Sequence, residues 1–489
     1  MRILMVSSEM TPFAKVGGLA DVVAALSYEL ARKGHEVKVV LPLYGSISPE
    51  RHWKALPDPL LVPFGTGPQF GRVWETTGGL PNLHFYFLEH NHYFQRAGVY
   101  GDAGEGYPDN DERFLFLSKG GLALCHYWQW YPEVINVHDW PTAVIPVLLN
   151  TVEKQGPLGR AASVLTIHNM EHQGYFPASF MDLAGLPREE FRGDSLESYG
   201  QVNLLKGGLY HATKLTTVSP QYSREILSPP ESCGLETVLR FRSADLIGVL
   251  NGVDTETWNP ATDPLLPAKY DADNLQGKKV CKRVLQEEIG LEVRPEVPVF
   301  GVVSRFASQK GLDLLVNILP WVLREMDVQF ALLGSGDPRL EAGFREVARL
   351  FPGKVGLGVG YNNQLAHRIE AGSDFFVMPS RFEPCGLNQM YSMLYGSLPL
   401  VRDTGGLHDT VEQYREGAGE ADIGTGFVFQ EASENALYYT IGWACATWYD
   451  RPDDIQKLIR RAMTRDFSWG PSVERYEQIY QWAQAARGG

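Results

Sequence analysis

Three basic residues and one carboxylate stand where chemistry on an anionic substrate would need them. Arg305 and Lys310 follow the apolar run 299–303, and Glu383 follows the run 375–378 in the string Pro379-Ser380-Arg381-Phe382-Glu383-Pro384-Cys385-Gly386-Leu387. Lys15 stands just before Gly17-Gly18. A planar guanidinium and a compact ammonium after one strand can clamp a diphosphate. A Gly-Gly turn that opens a helix offers free backbone N–H groups and the positive end of the helix dipole to an anion. The turn is neither GxGxxG nor GxxxxGK[ST], so neither a nicotinamide site nor a P-loop is expected. Glu383 falls between a buried strand and a helix expected over 387–395, and ligands of open α/β sheets bind in that crevice.

Two histidines repeat the pattern. His138-Asp139-Trp140 ends the run 134–137, and His168-Asn169 ends the run 163–167. A single histidine at a strand end is usually a hydrogen-bonded core residue. Two at equivalent ends, beside Asp139 and Asn169, point to a site. Asp109-Asn110-Asp111 and Asp271-Ala272-Asp273 have the Asp-x-Asp form of some metal sites. The first stands just before a helix expected from about residue 113, where such residues serve as caps, and the second reads the same way.

These residues need a frame, and the hydrophobic pattern supplies one. Short apolar runs at 3–6, 37–41, 134–137, 163–167 and 215–218, then at 299–303, 330–333, 355–359, 375–378 and 398–401, alternate with helical segments. That rhythm is βαβ and predicts parallel sheets. The first helix is expected over 20–33, with Val22, Leu26 and Leu30 on one face and Gly34 at its end. Residues 64–89 read as a hairpin, and 90–111 as a long functional loop without regular structure. The best boundary follows 246–250, where Asn251-Gly252-Val253-Asp254 leads into a Pro- and Asp-rich stretch. Gly-Gly-Leu-x-Asp occurs at Gly17 and again at Gly405, as two similar halves would have it. The closing segment 466–485 is expected to be an amphipathic helix covering a core with Tyr476, Ile479, Tyr480 and Trp482.

The totals narrow the class. The 489 residues exceed one ordinary core, and 44% hydrophobic with 21% charged residues is a globular composition. A net charge of −14 argues against a nucleic-acid partner. The five cysteines have no CxxC or zinc spacing, which fits reduced thiols and a cytoplasmic location. The N-terminal apolar run is too short for a signal peptide or a membrane span, so no membrane partner is expected.

Taken together, Lys15-Val16-Gly17-Gly18-Leu19, His138-Asp139-Trp140, His168-Asn169, Asn251-Gly252-Val253-Asp254, Ser304-Arg305 with Gln309-Lys310-Gly311, and Glu383-Pro384-Cys385-Gly386-Leu387 resemble the glycogen and starch synthases that use ADP-glucose. The resemblance runs nearly end to end. It implies a GT-B fold, with two Rossmann-like domains facing a deep cleft: 1–250 on the acceptor side, 251–465 on the donor side, and 466–489 crossing back to the first. It implies retaining transfer of glucose from ADP-glucose to the non-reducing end of an α-1,4-glucan such as glycogen, with no cofactor and no metal. Lys15, Gly18, Arg305 and Lys310 would meet the diphosphate. Glu383, with the backbone of Cys385, Gly386 and Leu387, would hold the glucose, and His168 would lie beside it. Asp139 and Asp21 would shape the acceptor side, Tyr361 would lie near the adenine, and Asn251 would belong to the donor site. The wider retaining pattern often has a second Glu eight residues after the first, and here that position is Tyr391. Rival readings are a UDP-glucose-using synthase, a phosphorylase with a lysine-bound pyridoxal phosphate, and an inactive glucan-binding protein.

Overall fold

The structure is a computed structural model that describes residues 1–102 and 104–488. The chain forms two compact units: Met1–Gly252 with the chain from Trp469 onward, and Val253–Ser468.

In the first unit a ten-stranded sheet runs in the order Leu246–Gly248, Lys214–Thr217, Ala162–Ile167, Val134–His138, Arg2–Val6, Glu36–Pro42, Leu83–Glu89, Gly67–Thr77 and Lys54–Ala55. Leu60–Phe64 pairs with Gly67–Thr77 off that path. From Leu246–Gly248 to Leu83–Glu89 every pairing is parallel. Parallel strands are covered on both faces, and this is why they read as unbroken apolar runs. Ile3, Leu4, Met5 and Val6 are all fully buried. Gly67–Thr77 and Leu83–Glu89 form the antiparallel hairpin. Leu60–Phe64, which alternates buried and exposed residues, lay outside the sequence reading. Residues 90–111 are more regular than expected. They hold a helical turn, Asn91–Phe94, and a two-residue ladder of Gly101–Asp102 with Glu105–Gly106, and the next helix, Asn110–Trp128, starts earlier than residue 113.

The strand order fixes where a ligand can sit. From Arg2–Val6 the chain first adds strands on one side, then crosses to add Val134–His138 on the other. Loops after those two strands diverge to opposite faces and leave a crevice at the carboxyl ends. The second unit repeats the plan. Its six-stranded parallel sheet runs Val355–Val359, Gln329–Gly334, Val299–Val303, Phe375–Met378, Leu398–Arg402, Phe427–Phe429, so the reversal lies between Val299–Val303 and Phe375–Met378. Phe427–Phe429 is too short to have been read from the sequence.

The last helix, Gly470–Gly488, belongs to the first unit. Val473, Tyr476, Ile479, Tyr480 and Ala483 are buried along it. The Tyr480 hydroxyl donates to Asn136 Oδ1 at 2.6 Å, inside the strand Val134–His138. Glu477 accepts from Lys33 at 2.8 Å and bonds His35 at 2.7 Å. Trp482 departs from the expected apolar face. It is 43% exposed, with the Arg475 guanidinium 4.9 Å from its ring, because position 482 falls off the stripe that the buried residues define. Among the described residues no helix is long and apolar enough to cross a membrane.

Candidate active site

In the second unit the two strands at the reversal lead into the loops that carry Lys310 and Glu383. Lys310 Nζ lies 2.7 Å from Glu383 Oε2, and Ser380 Oγ donates to the same oxygen at 3.0 Å. Glu383 is buried. The sequence reading gave the two residues separate tasks, on diphosphate and on sugar; the structure joins them in one ion pair. Their loops are stitched together. Arg381 N–H donates to Gln309 O at 2.8 Å, the Arg381 guanidinium takes both oxygens of Asp313 at 2.6 Å, and Asn388 Nδ2 donates to Val303 O at 2.7 Å. Arg305 is exposed just after the same strand and makes no ion pair among the described residues.

The second Gly-Gly turn braces this loop. Gly406 N–H donates to Glu383 O at 3.0 Å. A Cβ on Gly405 would stand 1.9 Å from Glu383 O, and one on Gly406 1.9 Å from Cys385 O. Glycine is required at these positions because two backbones touch. The first turn differs: a Cβ at Gly17 or Gly18 would meet nothing within 4 Å. Its amides, however, are not all free as expected. Val16 and Gly17 N–H donate to Glu9 Oε2 at 2.5 and 3.0 Å, and Tyr100 OH donates to Glu9 Oε1 at 2.5 Å. Burial and the nearby Asp21 charge raise the Glu9 carboxyl above its usual range. Glu9 escaped the sequence reading. Its only signal was an acidic residue directly after the first strand, in a loop that must turn back on itself. Lys15 is exposed and pairs with Asp21 at 2.8 Å, and Asp21 also accepts from Thr11 Oγ1 at 2.9 Å. Asp21 therefore holds Lys15 in this structure.

At the crevice of the first unit, His138 and His168 meet. They end adjacent strands, and His138 Nδ1 lies 3.1 Å from His168 Nε2. Burial keeps both neutral: His138 falls well below the usual imidazole range and His168 to about 3. Asp139 sits in left-handed backbone, φ 51°, and its Oδ1 accepts from His168 N–H at 2.6 Å. Burial lifts the Asp139 carboxyl to about 7, against the pull of hydrogen bonds from the His168 and Asn169 amides. Asp139 thus clamps the turn that carries His168.

The remaining expected residues divide. Tyr361 is 90% exposed. Asn251 is buried, and its Oδ1 has no partner among the described residues. Gly386, at φ 71°, and Leu387 follow Cys385 in the Glu383 loop. Cys385 is buried beside them. Tyr391 is part of an aromatic stack. Trp258 lies between Tyr391 and His367 at 3.8 and 3.9 Å, and His367 Nδ1 bonds Asp263 at 2.7 Å. An aromatic wall stands where the wider pattern has an acid. Asp109 is bound to Arg96, at 2.7 Å through Oδ1, and Asp271 accepts from the amides of Asp273 and Asn274.

Comparison with known proteins agrees with this geometry. Residues 2–241 match the starch synthase catalytic domain family, and residues 297–445 match glycosyl transferases group 1. The chain is 51% identical to glycogen synthase 1 of Geobacter sulfurreducens over 98% of its length and 96% of the relative's. It is 43% identical to the glycogen synthase of Treponema denticola, over 98% of each chain. The catalytic domain of starch synthase IV from Arabidopsis thaliana, solved bound to ADP and acarbose, superposes with a TM-score of 0.90 at 35% identity, covering 99% of both chains. Sucrose-phosphate synthase from Thermosynechococcus elongatus shares the fold, with a TM-score of 0.60 at 18% identity. Two doubly wound units with basic residues and a buried carboxylate at their strand ends define a glycosyltransferase of the GT-B fold. Within that class, the chain belongs to the glycogen synthase family.

Proposed function

We propose that the enzyme transfers glucose from ADP-glucose to the non-reducing end of an α-1,4-glucan, with retention at the anomeric carbon, in the cytoplasm. The observation that carries this reading is the Lys310–Glu383 pair at the strand reversal of the second unit. It joins a cation for a leaving phosphate to a buried acceptor for sugar hydroxyls. As the C1–O bond breaks, negative charge grows on the departing ADP and positive charge on C1. Arg305, Lys310 and Lys15 stabilise the former, with Gly18 supplying room for close approach. Glu383 takes hydroxyls of the transferred glucose, aided by the backbone of Cys385, Gly386 and Leu387. His168 lies beside that glucose, and Asp139 and Asp21 serve the acceptor side. Asn251 and Tyr361 belong to the donor, Tyr361 next to the adenine. The incoming hydroxyl attacks the face that ADP leaves, guided by the leaving phosphate. The test offers labelled ADP-glucose and labelled UDP-glucose separately with glycogen. Incorporation from ADP-glucose, released by an α-1,4-specific amylase, is expected. Preference for UDP-glucose, or label that the amylase leaves behind, would overturn the donor or the linkage respectively.

A further inference from the structure

We infer that His138 is a positioning residue that fixes the tautomer of His168, so that His168 turns an Nδ1–H donor rather than a bare acceptor towards the substrate. The contact between the rings joins His138 Nδ1 and His168 Nε2 at 3.1 Å. Between two neutral imidazoles only one of those nitrogens carries the proton.

The other nitrogen of His138 decides which. His138 is fully buried, and its Nε2 has no partner among the described residues. If His168 donated, His138 would carry its own proton on Nε2 and strand a buried N–H. If His138 donates, only a lone pair is stranded. Buried N–H groups without acceptors are the rarer and costlier case. His138 is therefore the Nδ1–H form, His168 Nε2 accepts, and neutral His168 carries its proton on Nδ1. His168 is largely buried but keeps some exposure, and its Nδ1 has no partner among the described residues. The residue is held from both sides: by His138 at the ring and by Asp139 Oδ1 at the backbone N–H. His138 is itself pinned, its N–H donating to Thr142 Oγ1 at 2.7 Å and its carbonyl accepting from the same hydroxyl at 3.0 Å. A neutral N–H in this place grips a sugar hydroxyl through its oxygen and leaves the hydroxyl proton to another acceptor.

The kinetic half of this inference rests on the proposed glucosyl transfer; the tautomer does not. The experiment is nitrogen NMR of the full-length protein labelled with ¹⁵N in its histidine rings. The His168 signals are assigned by their loss in His168→Gln. The wild type is expected to show His168 protonated on Nδ1 and bare at Nε2 around neutral pH. His138→Asn, whose amide N–H stands where the Nδ1–H stood, should keep that state. His138→Leu should release His168 into its Nε2–H form, with kcat down about tenfold, the rate equivalent of one neutral hydrogen bond. KM for the donor should change less. A wild-type His168 protonated on Nε2 overturns the inference without any variant, so a misfolded His138→Leu would not protect it. A switched tautomer with unchanged kcat would overturn the link to the substrate. If no glucose is transferred at all, the spectrum still decides the tautomer, and the failure belongs to the proposed reaction.

Discussion

Burial lifts the Asp139 carboxyl to about 7, so its charge changes near neutrality. As pH falls through that value the group gains a proton and loses its charge-assisted bonds to the amides of His168 and Asn169. The wild type should therefore show an acid limb in kcat near pH 7, and Asp139→Asn should lower activity and flatten that limb. Stability moves the other way. The folded pKa is raised above its unfolded value of 3.8, so the contribution is full below the unfolded value and is lost as pH rises through about 7. Melting curves across this window should show the wild type losing stability that Asp139→Asn does not lose. A limb that stays in place in the variant would assign the titration to another group. Lys310 meets a different demand. If it binds the leaving diphosphate, Lys310→Ala should cost about 10²–10³ in kcat, as loss of one preorganised donor does. A loss confined to KM for glycogen would place Lys310 elsewhere. That Lys310, Glu383 and His168 follow strands was legible in the sequence, because short apolar runs alternating with helical segments read as buried strands. Glu9 was not, because its task depends on a loop closing back over it.

Secondary-structure elements separate the two Gly-Gly turns that look alike in sequence. A methyl group on Gly406 would overlap a backbone carbonyl 1.9 Å away, whereas on Gly17 it would meet open space. Gly406→Ala should therefore destabilise the protein by about 3 kcal/mol or more, since backbone relieves overlap poorly. Gly17→Ala should leave the melting temperature nearly unchanged and show any effect in KM for the nucleotide sugar. Equal melting temperatures for the two variants would contradict the close approach. The repeated string was readable, but its two physical meanings were not, because they depend on which backbone lies opposite. The strands were legible for the reason that parallel sheets bury both faces. Leu60–Phe64 and Phe427–Phe429 were not, being an edge strand and a very short one. The wall at Tyr391 needed Trp258, far off in sequence, before it could be seen.

At the scale of the whole chain, the first unit is discontinuous: it is left at Gly252 and resumed at Trp469. Its last helix is tied to the sheet by a buried bond from Tyr480 to Asn136. The other polar end of Asn136 is spent on Val164 O at 3.1 Å and Thr166 Oγ1 at 3.0 Å, so the side chain cannot turn to find another donor. Tyr480→Phe should cost about 1–3 kcal/mol by stranding Asn136 Oδ1. Hydrogen exchange should then rise in Val134–His138 and Ala162–Ile167, with little change in the second unit. Faster exchange in Val299–Val303 instead would mean that the helix stabilises the wrong unit for this account. The amphipathic helix was visible in the sequence, and the single bond that anchors it was not.

That discontinuity has a consequence for synthesis. A ribosome adds about 5–20 residues per second, so the whole inserted unit takes on the order of tens of seconds to emerge. During that time the first sheet is present but lacks its last helix, and Asn136 has no Tyr480 to meet. The inserted unit, Val253–Ser468, is continuous and can fold as it leaves the tunnel, whereas the earlier one is completed only when the helix Gly470–Gly488 has emerged. A polypeptide that lacks this helix keeps Lys15, Arg305, Lys310 and Glu383, yet carries an unfinished core. The protein thus couples the soundness of its first sheet to the arrival of a helix made more than 200 residues later.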